Sequence, residues 1–548
     1  MVENTNFDFD IIVLGCGASG MLAAISAYEN GLKVGIFEKD SVVGGTAAVS
    51  GGIIWAPMNS HMKDADIKDS REDAINYFMS LSQGEMDTEL LESFIDNCSE
   101  AISFLEKHTS ISLSILSGYP DYYLDKPGAI SGGGRALDNS LFSYLELGEW
   151  KDKVRNNGPS LPMTLSETPL GGGSGQLEEE VLQERTKTDQ RGMGQALVGG
   201  LLKGCIDRGI IPKTNVEVIK LLTKDSEVKG VEVKIGGKIQ KLHSSRGVII
   251  ATGGFEWNKE LVSSFLRGPM THPASPPSNT GDGLMLAQEV GASLGNMTSA
   301  WWTPVLSIPD NSWPDGSQRS SPVLMERTLP HSIIVNKRGN RFCNEATNYS
   351  ALAGAFQSFD PTTYSYSNLP SWIVFDATHR ARYMTGPSIP GSETPDWLVE
   401  SETITELENK LGIIPGALSS SIEVFNNFVE QGEDKDFSRG KSEYDYFYGD
   451  RSLKGISATL GKIEKSPFYA VELKMGCLGT NGGPRTNKFG QVLSVRGELI
   501  NGLYAVGNVM SGSTGSVYAG AGGTLGPALT FGYLAGMHCA GVNTLKRN

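Results

Sequence analysis

The stretch FDIIVLGCGASGMLAAISAYENGLKVGIFEK, residues 9–39, decides how the rest of the chain is read. Ile11 to Leu14 is an unbroken apolar run, which predicts a central parallel strand buried on both faces. Gly15, Gly17 and Gly20, with Cys16, Ala18 and Ser19 between them, form G-x-G-x-x-G. That spacing is weak by itself in a chain with 67 glycines. Here it follows a strand, opens a helix and precedes a second strand that ends at Glu38 and Lys39. Gly15 permits the tight turn and Gly17 lets backbone approach a pyrophosphate. Gly20 lets the helix pack on the sheet, and the helix N-terminus attracts the anion. Glu38 offers acceptors to a ribose diol. A dinucleotide-binding α/β domain is predicted.

The next segment selects the dinucleotide. EKDSVVGGTAAVSGGIIWAPMN, residues 38–59, adds Gly44, Gly45, Thr46, Ser50, Gly51 and Gly52. So much close backbone suits a large flavin lying along the chain better than a nicotinamide. IIATGG supplies Ala251, Thr252, Gly253 and Gly254; TGDG supplies Asp282; GLYAVGN supplies Gly507 and Asn508. Val218, Gly523 and Leu525 complete the expected cofactor contacts. Asp282 is expected to bond the ribityl or pyrophosphate region, with a helix N-cap as the competing role. FAD is the expected cofactor. It is expected to be non-covalent, because no histidine sits in these motifs. No metal site is expected.

Length and composition set the frame. A chain of 548 residues implies two or three domains. The net charge of −15 argues against a general nucleic-acid binder. Six scattered cysteines, none in C-x-x-C, argue against iron–sulfur, zinc-ribbon and c-type haem sites and fit free thiols in a reducing compartment. The N-terminus lacks a basic region, and no apolar run reaches the ~18 residues of a membrane span. A cytoplasmic protein is expected, with loose membrane association left open. Residues 286–467 are enriched in Trp, Pro and Ser. The expected layout is a Rossmann-like FAD-binding domain over 1–285 and 468–548, interrupted by an α+β catalytic domain over 286–467. PLGGGSGQ, residues 169–176, reads as a mobile surface loop, and Glu178, Glu179 and Glu180 as a solvated face.

AWWTPV (300–305), IIVNKRGNRFCNEATNY (333–349), GTNGGPRTN (479–487) and VYAGAGGTLGPALTFGYLAG (517–536) resemble the fumarate reductase/3-ketosteroid dehydrogenase family of FAD proteins. The Δ1-dehydrogenase branch is the most similar. The family's carboxylate reductases carry an arginine after the "NE" motif, where this chain has Tyr349. They also use a His and an Arg in the C-terminal glycine loop, where this chain has Tyr518 and Gly522. A dicarboxylate held without such cations would leave buried charge unpaired, so a neutral substrate is expected.

The resemblance implies that the Tyr518 hydroxyl and the Gly522 N–H hold a steroid C3 ketone. Tyr349 would take the C2 proton, and a hydride would pass from C1 to flavin N5. It also implies a helper tyrosine in GYPDYYLDKPG: Tyr122 fits best, with Tyr119 and Tyr123 as alternatives. A helix starting near Leu525-Gly526 would aim its N-terminus at the flavin. Trp301, Trp302 and Trp313 would line an apolar slot or a plain aromatic core. An electron acceptor is required and unnamed. Alternatives on the same scaffold are a Δ4-(5α)-dehydrogenase, an enone reductase and a dehydrogenase of smaller cyclic ketones. A flavin-binding protein without turnover is the alternative from another class.

Overall fold

A computed structural model describes residues 7–542, apart from 157 and 159. The outermost ends of the expected domain layout, residues 1–6 and 543–548, lie outside the described residues. The chain forms two compact units. The first comprises residues 1–266, 275–301 and 479–548, and the second residues 267–274 and 302–478.

The first unit is built on strand β1 (Phe9–Leu14), helix α1 (Ala18–Glu29) and strand β2 (Val34–Phe37). β1 lies between β2 and the strand Lys238–Ile250, all parallel, and Leu499–Ala505 adds in parallel to Lys238–Ile250. Gln491–Leu493 closes that edge antiparallel. Ile11, Ile12 and Val13 are fully buried, as helix-covered parallel strands require. The first half of Lys238–Ile250 instead pairs antiparallel with Glu227–Ile235, which pairs in turn with Val216–Lys224.

α1 packs against the C-terminal helix Leu525–Cys539, and two glycines set how closely. A Cβ at Gly532 would lie 2.5 Å from the Ser19 carbonyl oxygen, and one at Gly536 would lie 2.5 Å from that of Ala23. Leu22 and Ile25 are fully buried in this core, each contributing roughly 1.5–3 kcal/mol.

The second unit holds a six-stranded sheet. Its path runs Gln318–Pro322, Ala300–Ser312, Phe468–Thr480, Ser371–Asp376, Ser332–Asn336, with Val399–Ser401 also pairing Phe468–Thr480. Apolar clusters cover it: Ile334, Phe356, Phe375 and Leu473 in one, Ile333, Val374, Leu418 and Phe425 in the other. A buried ion network ties strand to loop. Arg341 pairs with Glu345 and Asp434, and Arg439 pairs with Glu345. Glu345 is therefore a structural acid.

One expectation is corrected here, and one gains detail. Residues 169–176 form a surface turn: the Gly173 and Gly175 N–H groups donate to the Thr168 and Glu167 carbonyls. Cβ atoms at Gly171 or Gly173 would strike the Leu165 and Glu167 backbone. Asp282 is not an N-cap: Gly281, at φ +79°, caps the helix Asp282–Glu289, and Asp282 lies in its first turn. Glu178 to Glu180 are exposed, as expected. No helix among the described residues is long and apolar enough to cross a membrane.

Candidate active site

Of the residues the motifs single out, Gly15, Glu38, Ala251 and Gly507 lie just past the ends of the parallel strands. Gly15 follows β1 at φ +101°, and a Cβ there would lie 2.3 Å from the Ala251 carbonyl oxygen. Gly17 caps α1 without any side-chain hydrogen bond, which leaves the helix's first N–H groups for an anion. Ala18, Ser19 and Gly20 form the buried first turn. Cβ atoms placed on Gly17 or Gly45 would meet open space, as a ligand-facing backbone should.

Glu38 stands at the end of β2. Its Oε2 accepts from the Cys16 N–H (2.9 Å) and its Oε1 from the Asp40 N–H (3.1 Å). Burial pushes this carboxyl's pKa above its ordinary value, while those two N–H groups pull it down. The Val216 N–H donates to the Glu38 carbonyl, and Val218 lies two residues further along that strand. Lys39 bonds both Thr280 Oγ1 and Asp282 Oδ2 at 2.6 Å. Asp282 thus faces a lysine at the surface.

The second glycine loop is anchored from below. The Gly44 N–H donates to the Cys16 carbonyl, and Gly52 N–H to Ser50 Oγ. Gly51 joins the two. Asn279 Nδ2 donates to Thr46 Oγ1 (2.9 Å). Ala251 N–H bonds the Leu14 carbonyl and leads into Thr252, Gly253 and Gly254. Gly507 turns at φ +73°, and Asn508 Oδ1 accepts from Trp301 Nε1 (3.2 Å). A small open cleft runs past Trp301, Asn508, Ser513, Thr514, Thr524 and Pro527.

These residues fit FAD. Three buried hydroxyls, Thr252 Oγ1, Ser513 Oγ and Thr524 Oγ1, have no hydrogen-bond partner among the described residues. Ser513 and Thr524 line the cleft. Such groups cost about 1–3 kcal/mol each when left unmade, so their presence calls for a polar ligand.

Tyr518 is buried in this unit between two rings. It stacks on Tyr122 at 5.8 Å and meets Trp301 edge-on at 5.3 Å. Tyr119, which the motif offered only as an alternative to Tyr122, joins the group through a hydrogen bond with Tyr122. Burial pushes the Tyr119 phenol upward, and the nearby Tyr518 adds to this. The usable sequence signal was the i, i+3 spacing of Tyr119 and Tyr122 in GYPDYY. Tyr123 turns elsewhere: its N–H donates to Tyr77 Oη (3.1 Å), and its side chain packs on the core.

Gly522 follows at φ +90°. Its carbonyl accepts from Trp55 N–H (3.2 Å), and its own N–H donates to no group among the described residues. Gly523 and Leu525 lead into the C-terminal helix, which starts at Leu525 with Pro527 in its first turn. Tyr349 belongs to the second unit. It is buried at the first position of the helix Tyr349–Phe356, whose cap Asn348 accepts from Ala351 N–H (2.8 Å). In the same unit Trp302 packs on the sheet core, and Trp313 lies under Arg319.

A dinucleotide fold with this glycine cradle defines an FAD-dependent oxidoreductase. The chain belongs to the FAD binding domain family, which matches residues 10–525. The resemblance to 3-ketosteroid dehydrogenases holds over nearly the full length. A 4-oxocyclohexanecarboxylate 2-dehydrogenase of Sinomonas cyclohexanicum is 37% identical, over 99% of this chain and 94% of its own. A 3-oxosteroid 1-dehydrogenase of Mycobacterium tuberculosis is 34% identical, over 97% and 98%. The crystal structure of the 3-ketosteroid Δ1-dehydrogenase from Sterolibacterium denitrificans, in complex with 1,4-androstadiene-3,17-dione, is 33% identical. It superposes with a TM-score of 0.90, over 97% of this chain and 99% of that one.

Proposed function

We propose that this protein catalyses the FAD-dependent 1,2-dehydrogenation of 3-ketosteroids. The observation that carries the reading is the buried Tyr518, stacked on Tyr122, with the undonated N–H of Gly522 in the same glycine loop. That set suits a neutral ketone oxygen. The Tyr518 hydroxyl and the Gly522 N–H donate to it and stabilise the enolate-like charge that develops there. Tyr349 removes the C2 proton. A phenol of pKa near 10 is a weak base at neutral pH and needs a helper; that role is assigned to Tyr122, which hydrogen-bonds Tyr119 within the first unit. FAD, when bound, would supply the two-electron acceptor for the hydride lost from C1. Gly15, Gly17, Glu38, Thr46, Thr252, Asp282 and Asn508 are among the residues assigned to hold it.

In this reading the first unit is the FAD-binding domain, and the second, corresponding to the expected 286–467 insertion, is the catalytic domain. A cytoplasmic setting agrees with six buried cysteines, none in a disulfide among the described residues. An electron acceptor of unspecified class restores the oxidised cofactor.

The relative named for 4-oxocyclohexanecarboxylate favours a second reading, the same α,β-desaturation on a small ring. Against it, an anionic substrate needs a cationic partner, and the positions where the resembled carboxylate reductases carry His and Arg hold Tyr518 and Gly522 here. The test is incubation of the purified yellow protein with androst-4-ene-3,17-dione or with 4-oxocyclohexanecarboxylate, plus an artificial acceptor, and identification of the products. A 1,4-diene-3-one from the steroid is expected. Turnover of the small acid alone would replace the steroid reading, and a 5α product would redirect it to the other ring position.

A further inference from the structure

The glycine loop 515–523 and the tyrosine loop 119–123 come from distant parts of the chain, yet one residue joins them. Trp55, in strand β3 (Ile54–Trp55), is 1% exposed. Its backbone N–H donates to the Gly522 carbonyl (3.2 Å). Its indole Nε1–H donates to Asp121 Oδ1 (2.9 Å), next in sequence to Tyr122. The other Asp121 oxygen accepts from Arg135 Nη1 (2.8 Å) and from the Ile130 N–H (3.0 Å), and Arg135 is itself held by Asp69. A second tie runs alongside: Tyr122 N–H and Tyr77 Oη–H both donate to the Ala519 carbonyl.

Trp55 also dictates where glycine is needed. A Cβ at Gly520 would lie 2.4 Å from the indole Nε1, one at Gly522 would lie 2.6 Å from the Trp55 nitrogen, and one at Gly526 would lie 2.0 Å from the Trp55 carbonyl oxygen. The indole requires the first of these glycines, and the backbone of residue 55 requires the other two.

We infer that Trp55 is a positioning residue for ketone activation, fixing the Gly522 N–H and the Tyr122–Tyr518 pair in one frame through its hydrogen bond to Asp121. Trp55 touches no reacting atom in this scheme. It acts through the loops on either side, and the inference rests on the ketone-binding roles proposed for Tyr518 and Gly522. Its rigidity comes from its surroundings: Phe78 meets the indole edge-on at 5.3 Å, Phe94 lies at 6.3 Å, and the Arg135 guanidinium sits over the ring at 5.4 Å.

The test is Trp55→Phe in the FAD-loaded, full-length protein. The change keeps a flat ring among Phe78 and Phe94 and removes the indole donor. A donor set loosened by a fraction of an ångström is expected to lower kcat roughly 10- to 100-fold. KM should stay within about threefold, and FAD should remain at one per chain by absorbance, because ground-state binding needs the geometry less than the transition state does. Asp121→Asn should move kcat in the same direction. The double variant should fall little below the worse single one, since both cut one link.

A Trp55→Phe enzyme with full kcat, or effects of the two changes that simply multiply, would overturn the inference. Tyr518→Phe run in parallel separates the levels. If it is crippled while Trp55→Phe is unaffected, only the clasp is wrong. If Tyr518→Phe is itself unaffected, the ketone site is wrong and the clasp goes with it. Should Trp55→Phe not give folded holoenzyme, Asp121→Asn is judged by the same kcat and KM split.

Discussion

Gly522→Ala puts the proposed ketone donor under the most direct strain. Gly522 sits at φ +90°, and a Cβ there would lie 2.6 Å from both Ile53 O and Trp55 N. Left-handed backbone costs an alanine about 1–2 kcal/mol. Ordinary contact starts near 3.4 Å, so the two segments must part by about 0.8 Å. That lengthens the 3.2 Å bond from Trp55 N–H past usefulness, a loss of about 1 kcal/mol. The expected destabilisation is about 2–3 kcal/mol, concentrated in the loop. The catalytic effect should be larger in relative terms. A donor displaced by most of an ångström no longer meets the developing oxyanion, and kcat should fall about 100-fold. The assay is steady-state turnover of a 3-ketosteroid with an artificial acceptor, normalised to bound FAD measured by absorbance. If the variant binds less FAD but each loaded molecule turns over within about threefold of the parent, Gly522 is glycine only to clear Trp55, and its N–H has no part in catalysis.

Two further outcomes are expected. In the second unit, burial alone would raise the Glu345 pKa, but Arg341 and Arg439 hold it below its ordinary value, and Arg341 does the same for the buried Asp434. A depressed folded-state value stabilises fully above the unfolded carboxylate range, about 4, and that stabilisation is lost as pH falls through the folded value. Acid titration followed by tryptophan fluorescence should therefore unfold this unit below about pH 4, and Arg341→Met should move the midpoint to higher pH; an unmoved midpoint would contradict the ion-network account. Thr252→Val replaces a buried, unpartnered hydroxyl with a shape-matched apolar group. FAD-free protein should be at least as stable, while FAD affinity, read by flavin fluorescence, should drop several-fold; unchanged affinity would remove Thr252 from the cofactor contacts.

Much of the first unit was legible because its signals are local. The apolar run of β1, the glycine spacing and the acid at the end of β2 lie within 31 residues, and the helix starting at Leu525 follows directly on its glycine loop. What stayed hidden depends on pairings made at a distance. Tyr119 could not be told from Tyr123 until Tyr77 and Tyr122 showed which way each turns. The role of Trp55 was invisible because its partners, Asp121 and Gly522, are far away in sequence. Gly281 took the cap that Asp282 seemed suited for, because the chain there needs positive φ. The units also part between Trp301 and Trp302, and between Leu478 and Gly479, inside continuous strands where composition gives no mark.

The sheet of the first unit carries an order of assembly within it. Strand Lys238–Ile250 acquires its neighbour Leu499–Ala505 only after the whole second unit has been synthesised. During translation the nascent chain exposes an unpaired, fully apolar Val248–Ile250 edge for most of that interval. The C-terminal helix that packs on α1 arrives later still. This architecture makes the last strand and helix the closing step of folding, and it makes the incomplete chain the state most in need of a chaperone.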